Sequence, residues 1–216
     1  MKNEILVIPD IHGRDFWKEP CREWEGKVIF LGDYHDPYPQ QVSKNNSLEN
    51  LKVLVNFYEN NKSRVVCLLG NHDGNYLIRK GFADRIDHNN YNEVTSLLKK
   101  LDLKVAYHIN DILFSHAGVL PEWLKVNNLS IGDVPNLKFD HKALTDISPW
   151  RGGSSEVGGI LWGDVREYAL ENHIPNLYQV FGHTQMNKEV IQPDFACLDC
   201  RKCFIMDLDS KEIREY

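Results

Sequence analysis

Glu4-Ile5-Leu6-Val7-Ile8-Pro9-Asp10-Ile11-His12-Gly13 carries a short apolar run straight into two ligand-type side chains. The run has the length and composition of a buried strand, so Asp10 and His12 stand at a strand's carboxyl end. They are two residues apart, and in extended backbone both would point to one side and chelate a single ion. The same arrangement recurs. Lys27 to Leu31 is a strand ending in Gly32-Asp33-Tyr34-His35-Asp36, and Arg64 to Leu69 one ending in Gly70-Asn71-His72-Asp73. Ile112 to Ser115 leads into His116-Ala117-Gly118, and Tyr178 to Phe181 into Gly182-His183-Thr184.

Between these strands the pattern turns helical. Asp15 is a candidate N-cap for a helix through Trp24, which Pro20 distorts or divides. Pro37 to Asn46 reads as a loop, after which Ser47 caps a helix with Leu48, Leu51, Leu54, Val55 and Tyr58 at helical spacing. A helical stretch runs from Asn90 to Leu101, and Asn110-Asp111 joins strands 104–109 and 112–115 as a two-residue hairpin. Residues 121–159 are rich in turn formers and read as an irregular excursion over the site's rim. The tail from Val190 to Tyr216 reads as two or three antiparallel strands. Strand–helix alternation early and strand clusters late imply a mixed α/β layered fold, one domain over residues 1–216.

The 216 residues, 42% of them hydrophobic, suffice for a sizeable core. A net charge of −6 without any Lys/Arg-rich block argues against binding a nucleic-acid backbone. The apolar runs are strand-sized, so no membrane span is expected. Met1-Lys2-Asn3-Glu4 leads directly into the first strand without a signal-peptide core, and five cysteines read as reduced thiols. Both point to the cytoplasm.

Oxygen and imidazole ligands gathered at strand ends suit a two-metal phosphoesterase. Two cations about 3.5–4 Å apart can neutralise the attacking and leaving oxygens and acidify water between them. Asp33 is the candidate bridge, Asp10 and His12 ligands of one ion, and Asn71, His116 and His183 of the other. That donor set suits divalent transition metals better than Ca: Mn first, then Fe, Zn or Co. His72 follows Asn71 directly and so faces elsewhere. It is the candidate general acid for the leaving-group oxygen, with Asp36 accepting its hydrogen bond.

The ordered set Asp-x-His-Gly, Gly-Asp-x-x-Asp, Gly-Asn-His-Asp, His-Ala-Gly and Gly-His-Thr resembles the calcineurin-like metallophosphoesterase superfamily. Gly182-His183-Thr184 and Ile160-Leu161-Trp162-Gly163-Asp164 are most similar to its phosphoprotein phosphatase branch, which also holds dinucleoside tetraphosphatases. The resemblance implies a four-layer α-β-β-α sandwich of two mixed sheets with the dimetal site at the strand ends. It also implies direct attack on phosphorus by a metal-bridging hydroxide, with no phosphoenzyme. Two positions depart from the pattern. Gln185 stands where many members have a further histidine ligand, so the Asp10/His12 ion is expected to be more hydrated. Pro37 stands where the resembling phosphatases place a phosphate-clamping arginine, leaving Arg14, Arg151 and Arg166 as substitutes.

Each feature also has a plainer reading. A single Asp among these can cap a loop, and a single His on an apolar strand is commonly a hydrogen-bonded core residue. Six ligand-type residues in family order do not arise that way. His35, His88, His108, His141 and His173 read as surface or loop residues. Cys197, Cys200 and Cys203 have zinc-knuckle spacing but lack an evident fourth ligand, and read as strand cysteines. Trp123, Trp150 and Trp162 either wall a substrate pocket or pack in the core. The sequence thus predicts a phosphomonoesterase acting on a phosphorylated protein. A nucleotide or dinucleoside polyphosphate hydrolase is the alternative, and a catalytically dead binding scaffold the alternative of another class. A scaffold should have lost ligands, and Asp10, His12 and Asn71 all remain.

Overall fold

In chain order the first elements are β1 (Glu4–Ile8), α1 (Lys18–Glu23), β2 (Val28–Phe30), α2 (Lys44–Asn60), β3 (Val65–Cys67), α3 (Gly74–Leu77) and α4 (Tyr91–Leu98). They are followed by β4 (Ala106–Ile109), β5 (Ile112–Ser115), α5 (Pro121–Asn127), α6 (Val165–Tyr168), β6 (Tyr178–Phe181), β7 (Val190–Ile191), β8 (Phe195–Cys197), β9 (Phe204–Asp207) and β10 (Ile213–Glu215). The structure, a computed structural model, describes residues 3–79, 81–170 and 173–216. Met1 and Lys2, read as the lead into the first strand, lie outside them. The chain divides into two units, Met1–Leu103 with Arg201–Tyr216, and Lys104–Cys200.

The first unit holds a five-stranded mixed sheet in the order β10-β9-β1-β2-β3. Strands β1, β2 and β3 run parallel, while β9 is antiparallel to β1 and β10 to β9. Leu6, Val7 and Ile8 are all fully buried, as expected of a central strand covered on both faces. The register pairs Ile8 with Phe30 and Phe30 with Cys67, so three parallel strands end at one level. The loops carrying Asp10, Asp33 and Asn71 therefore leave one sheet edge, the carboxyl edge where open α/β sheets place their ligands.

Helix α2 packs Leu48, Leu51, Leu54, Val55 and Tyr58 into the core with Trp17 and Phe30. It starts earlier than the sequence suggests. Ser43, not Ser47, is the cap and accepts from the Asn46 N–H at 3.2 Å. The Ser47 hydroxyl is instead buried against the His35 ring, 2.7 Å from Nδ1. Asp15 does not cap α1, whose N-cap is Trp17 without a side-chain bond. Pro20 neither divides nor breaks that helix. It sits in the first turn, where no intrahelical N–H is needed.

The second unit holds the other mixed sheet, β4-β5-β6-β8-β7, in which β5, β6 and β8 are parallel. Asn110, in left-handed backbone, turns the β4–β5 hairpin. Phe114 pairs with Val180, so His116 and His183 follow two strands that end together, and Gly182 N–H bonds the His116 carbonyl at 2.8 Å. The stretch from Pro121 is less irregular than its composition suggests. Pro121 begins α5 at a position where its missing N–H costs nothing, and left-handed Asn128 ends it. Trp123 of α5 is buried, its indole N–H on the Asp146 carboxylate at 3.1 Å. The tail supplies four strands, of which β8 joins its neighbour β6 in parallel. No helix among the described residues is long and apolar enough to cross a membrane. Among them no disulfide forms either, and all five cysteines are buried.

Candidate metal centre

The backbone past β1 does not stay extended. His12 has φ 46°, and its N–H donates to the Asp33 carbonyl at 2.7 Å. The same-side argument from strand periodicity thus fails, yet both Asp10 and His12 end up buried. The His12 Nδ1–H donates to the His35 carbonyl at 3.1 Å, which turns Nε2 toward Asp33 Oδ2, 3.4 Å away. Burial, then the neighbouring His72, Arg85 and Arg14, hold the His12 pKa well below its usual value. A neutral imidazole with Nδ1 tied to a carbonyl presents an Nε2 lone pair, the form that ligates metals. His35, read from sequence as a surface residue, is buried, and its ring meets Asp87 at 3.3 Å.

Asp33 is also left-handed, at φ 54°. Its Oδ1 accepts the His72 N–H at 2.8 Å. A Cβ on Gly70 would lie 2.1 Å from that oxygen, so Gly70 makes room for the carboxylate. Burial, then repulsion from Asp10 and Asp73, push the Asp33 pKa well above the carboxylate range. Buried like charges are costly unless a cation offsets them. The donor set meets that need, since ligand atoms of His12, Asp33 and His72 all lie within 4.8 Å of one another. Two ligand atoms about 2.0–2.2 Å from a shared cation stand roughly 2.9–3.5 Å apart, and the His12–Asp33 spacing falls in that range.

Asp73 locks two of the loops together. Its carboxylate accepts from the N–H groups of Gly70 at 2.8 Å, Asp33 at 2.9 Å and Tyr34 at 3.2 Å. Asp73→Ala is expected to leave these buried donors unsatisfied and to destabilise the protein by roughly 3 kcal/mol or more, at about 1–3 kcal/mol per orphaned group. A urea midpoint that falls at unchanged slope is the expected result; an unchanged midpoint would contradict this role.

His72 Nδ1 meets Asp36 Oδ2 at 3.1 Å. Burial alone would raise the Asp36 pKa, but hydrogen bonds from His72, Tyr76 and Asn75 prevail and hold it below the ordinary range. Asp36 is therefore a fixed acceptor that keeps a proton on Nδ1 and aims Nε2 outward. Arg85 faces that nitrogen, with Nη2 3.0 Å away. Its Nε donates to the Asp36 carbonyl at 3.2 Å, and its guanidinium lies 3.9 Å over the Tyr38 ring. Arg14 flanks the same ring at 5.6 Å and donates to the Asp10 carbonyl at 3.2 Å.

In the second unit His116 Nε2 and His183 Nδ1 stand 3.1 Å apart, again the spacing of two ligands on one cation. His183 has φ 63°, and Trp162 meets its ring edge-on. Arg151 fixes this turn, donating to the His183 carbonyl at 3.1 Å and Thr184 Oγ1 at 2.9 Å. Arg151 and Arg166 also converge on buried Asp164, at 2.9 and 2.7 Å. Trp150 is half exposed, under the Arg166 guanidinium.

The structure thus gathers Asp10, His12, Asp33, Asp36, Asn71 and His72 at one sheet edge, and His116 with His183 at another. Sequence reasoning missed Asp73, Arg85 and Tyr38. A turn-forming Asp three residues after Gly70 was a usable sign for Asp73. Arg85 gave none, because only the fold brings it to His72. Left-handed backbone recurs at His12, Asp33, Asp36, Arg85 and His183, as it also does in turns elsewhere in the chain; each such conformation costs about 1–3 kcal/mol.

Among curated proteins none matches the sequence at a significant level. Among solved structures, the cold-active protein-tyrosine phosphatase of a psychrophile, Shewanella sp., aligns at TM-score 0.66 and 16% identity, covering 100% of this chain and 80% of that one. A further structure of cold-active protein tyrosine phosphatase aligns at TM-score 0.65 and 16% identity, covering 100% and 79%. At that identity the likeness concerns the fold. The family profile described as calcineurin-like phosphoesterase matches residues 4–187, a span that contains all five motifs. The chain accordingly belongs to the calcineurin-like phosphoesterases, hydrolases of phosphoester bonds that work with metal ions.

Proposed function

We propose that this protein hydrolyses phosphate monoesters of alcohols, with phosphoserine- or phosphothreonine-bearing protein as the substrate class. The observation that carries the reading is the buried His72–Asp36 pair beside the His12–Asp33 ligand atoms. An alkoxide is a poor leaving group and needs a proton as its bond to phosphorus breaks. His72 Nε2 is our candidate to give it, with Asp36 accepting from the ring at Nδ1. Two divalent ions, with Mn first and Fe, Zn or Co next, supply charge neutralisation and an acidified water when bound. Asp10, His12 and Asp33 are proposed for one ion; Asn71, His116 and His183, with Asp33 shared, for the other. No side chain needs to bond to phosphorus. Arg151 serves through His183, by holding its backbone.

A nucleotide or dinucleoside polyphosphate is the second reading. A cleft of about 570 Å³ beside Gly13 and Arg14, lined also by Lys18, Asn46, Asn50 and Arg201, favours it by offering cations for further phosphates. Its leaving group, a phosphate anion, needs less protonation, so the His72–Asp36 pair favours the monoester. Phosphorus NMR on the Mn-loaded protein with a phosphoserine peptide and a dinucleoside tetraphosphate together decides between them. Inorganic phosphate from the peptide is the expected product. Nucleoside phosphates alone would transfer the assignment to the second reading.

A further inference from the structure

Asp84 is 73% exposed, yet its Oδ1 lies 3.4 Å from His72 Nε2 and 3.3 Å from Arg85 Nη1. An anionic oxygen thus already sits beside both the outward nitrogen of the His72–Asp36 pair and the guanidinium, which are themselves 3.0 Å apart. The guanidinium is the fixed member. It is stacked on Tyr38, bonded to the Asp36 carbonyl and carried on left-handed backbone at φ 59°. Its side chain is only 18% exposed. The carboxylate is the loose member, because an exposed ion pair in water contributes little. Planar guanidinium forks match the oxygens of a phosphate as well as those of a carboxylate.

We propose that Arg85 binds the substrate's phosphate, which enters by displacing the Asp84 carboxylate from this anion position. One phosphate oxygen takes the place of Asp84 Oδ1 on the guanidinium, and the ester oxygen comes to His72 Nε2. This rests on the phosphomonoesterase reading and names the residue that recognises the phosphate. A purely structural Arg85, bracing the Asp36 loop, predicts something different for Asp84: its removal would leave phosphate binding unchanged.

Calorimetric titration of the Mn-loaded protein with inorganic phosphate separates the two. Arg85→Ala is expected to weaken binding about 10- to 100-fold, the loss of a charge-assisted fork, with Arg85→Lys in between. Asp84→Ala, at an exposed position that folding tolerates, is expected to tighten it about two- to fivefold. Unchanged or weaker binding in Asp84→Ala overturns the displacement, and wild-type binding in Arg85→Ala overturns the clamp. If phosphate binding follows the expected pattern but no monoester is hydrolysed, the clamp stands and the proposed reaction falls.

Discussion

Asp33→Asn is expected to lower turnover roughly a thousandfold or more while leaving the metal-free protein at least as stable as the parent. The first effect follows from the proposed bridging role. Metal ions supply several kcal/mol of charge stabilisation, and losing about 4 of them costs a factor of ten per ~1.4 kcal/mol. The second follows from the electrostatics of the pocket. Asp33 is buried, then opposed by Asp10 and Asp73, and its raised pKa means that folding works against its charged form. Asparagine removes that charge and keeps an oxygen for the His72 N–H. In EDTA the variant should therefore melt no lower than the parent, a separation of function from stability typical of active sites. A variant that lost activity and melting temperature together would make Asp33 a structural residue instead.

His72→Asn is expected to slow hydrolysis of a phosphoserine peptide by about 100-fold or more and of p-nitrophenyl phosphate far less. The phenolate leaves without help; the serine alkoxide does not. Asp36 keeps Tyr76 and Asn75 as donors in the variant, so the pocket should persist. Because His72 also lies within reach of the His12–Asp33 ligand atoms, metal content must be measured alongside. Equal losses on both substrates, with metal lost as well, would make His72 a ligand rather than the acid.

Much of this site is written in short-range patterns. Apolar strands ending in Gly-Asp, Gly-Asn-His or Gly-His are visible because the parallel register makes strand ends coincide in space. What escaped was set by tertiary context. Strand periodicity puts Asp10 and His12 on one side, but the chain turns at His12, whose N–H bonds the Asp33 carbonyl. The sequence points to Ser47 as the cap of α2, but Ser43 takes that place and the Ser47 hydroxyl lies against the His35 ring. The helix at Pro121 was hidden by turn-forming neighbours. Arg85 was invisible because no local pattern links a loop arginine to a histidine thirteen positions earlier. The departure at Pro37 was legible as a missing arginine, whereas what stands beside His72 instead needed coordinates.

Equilibrium binding of Mn to the purified protein and to Asp33→Asn tests the central claim most directly. The account predicts two ions per chain in the parent and a clear loss of affinity or stoichiometry in the variant, with the fold intact. A parent chain that binds no Mn, Fe, Zn or Co, or a variant that binds as the parent does, would contradict it.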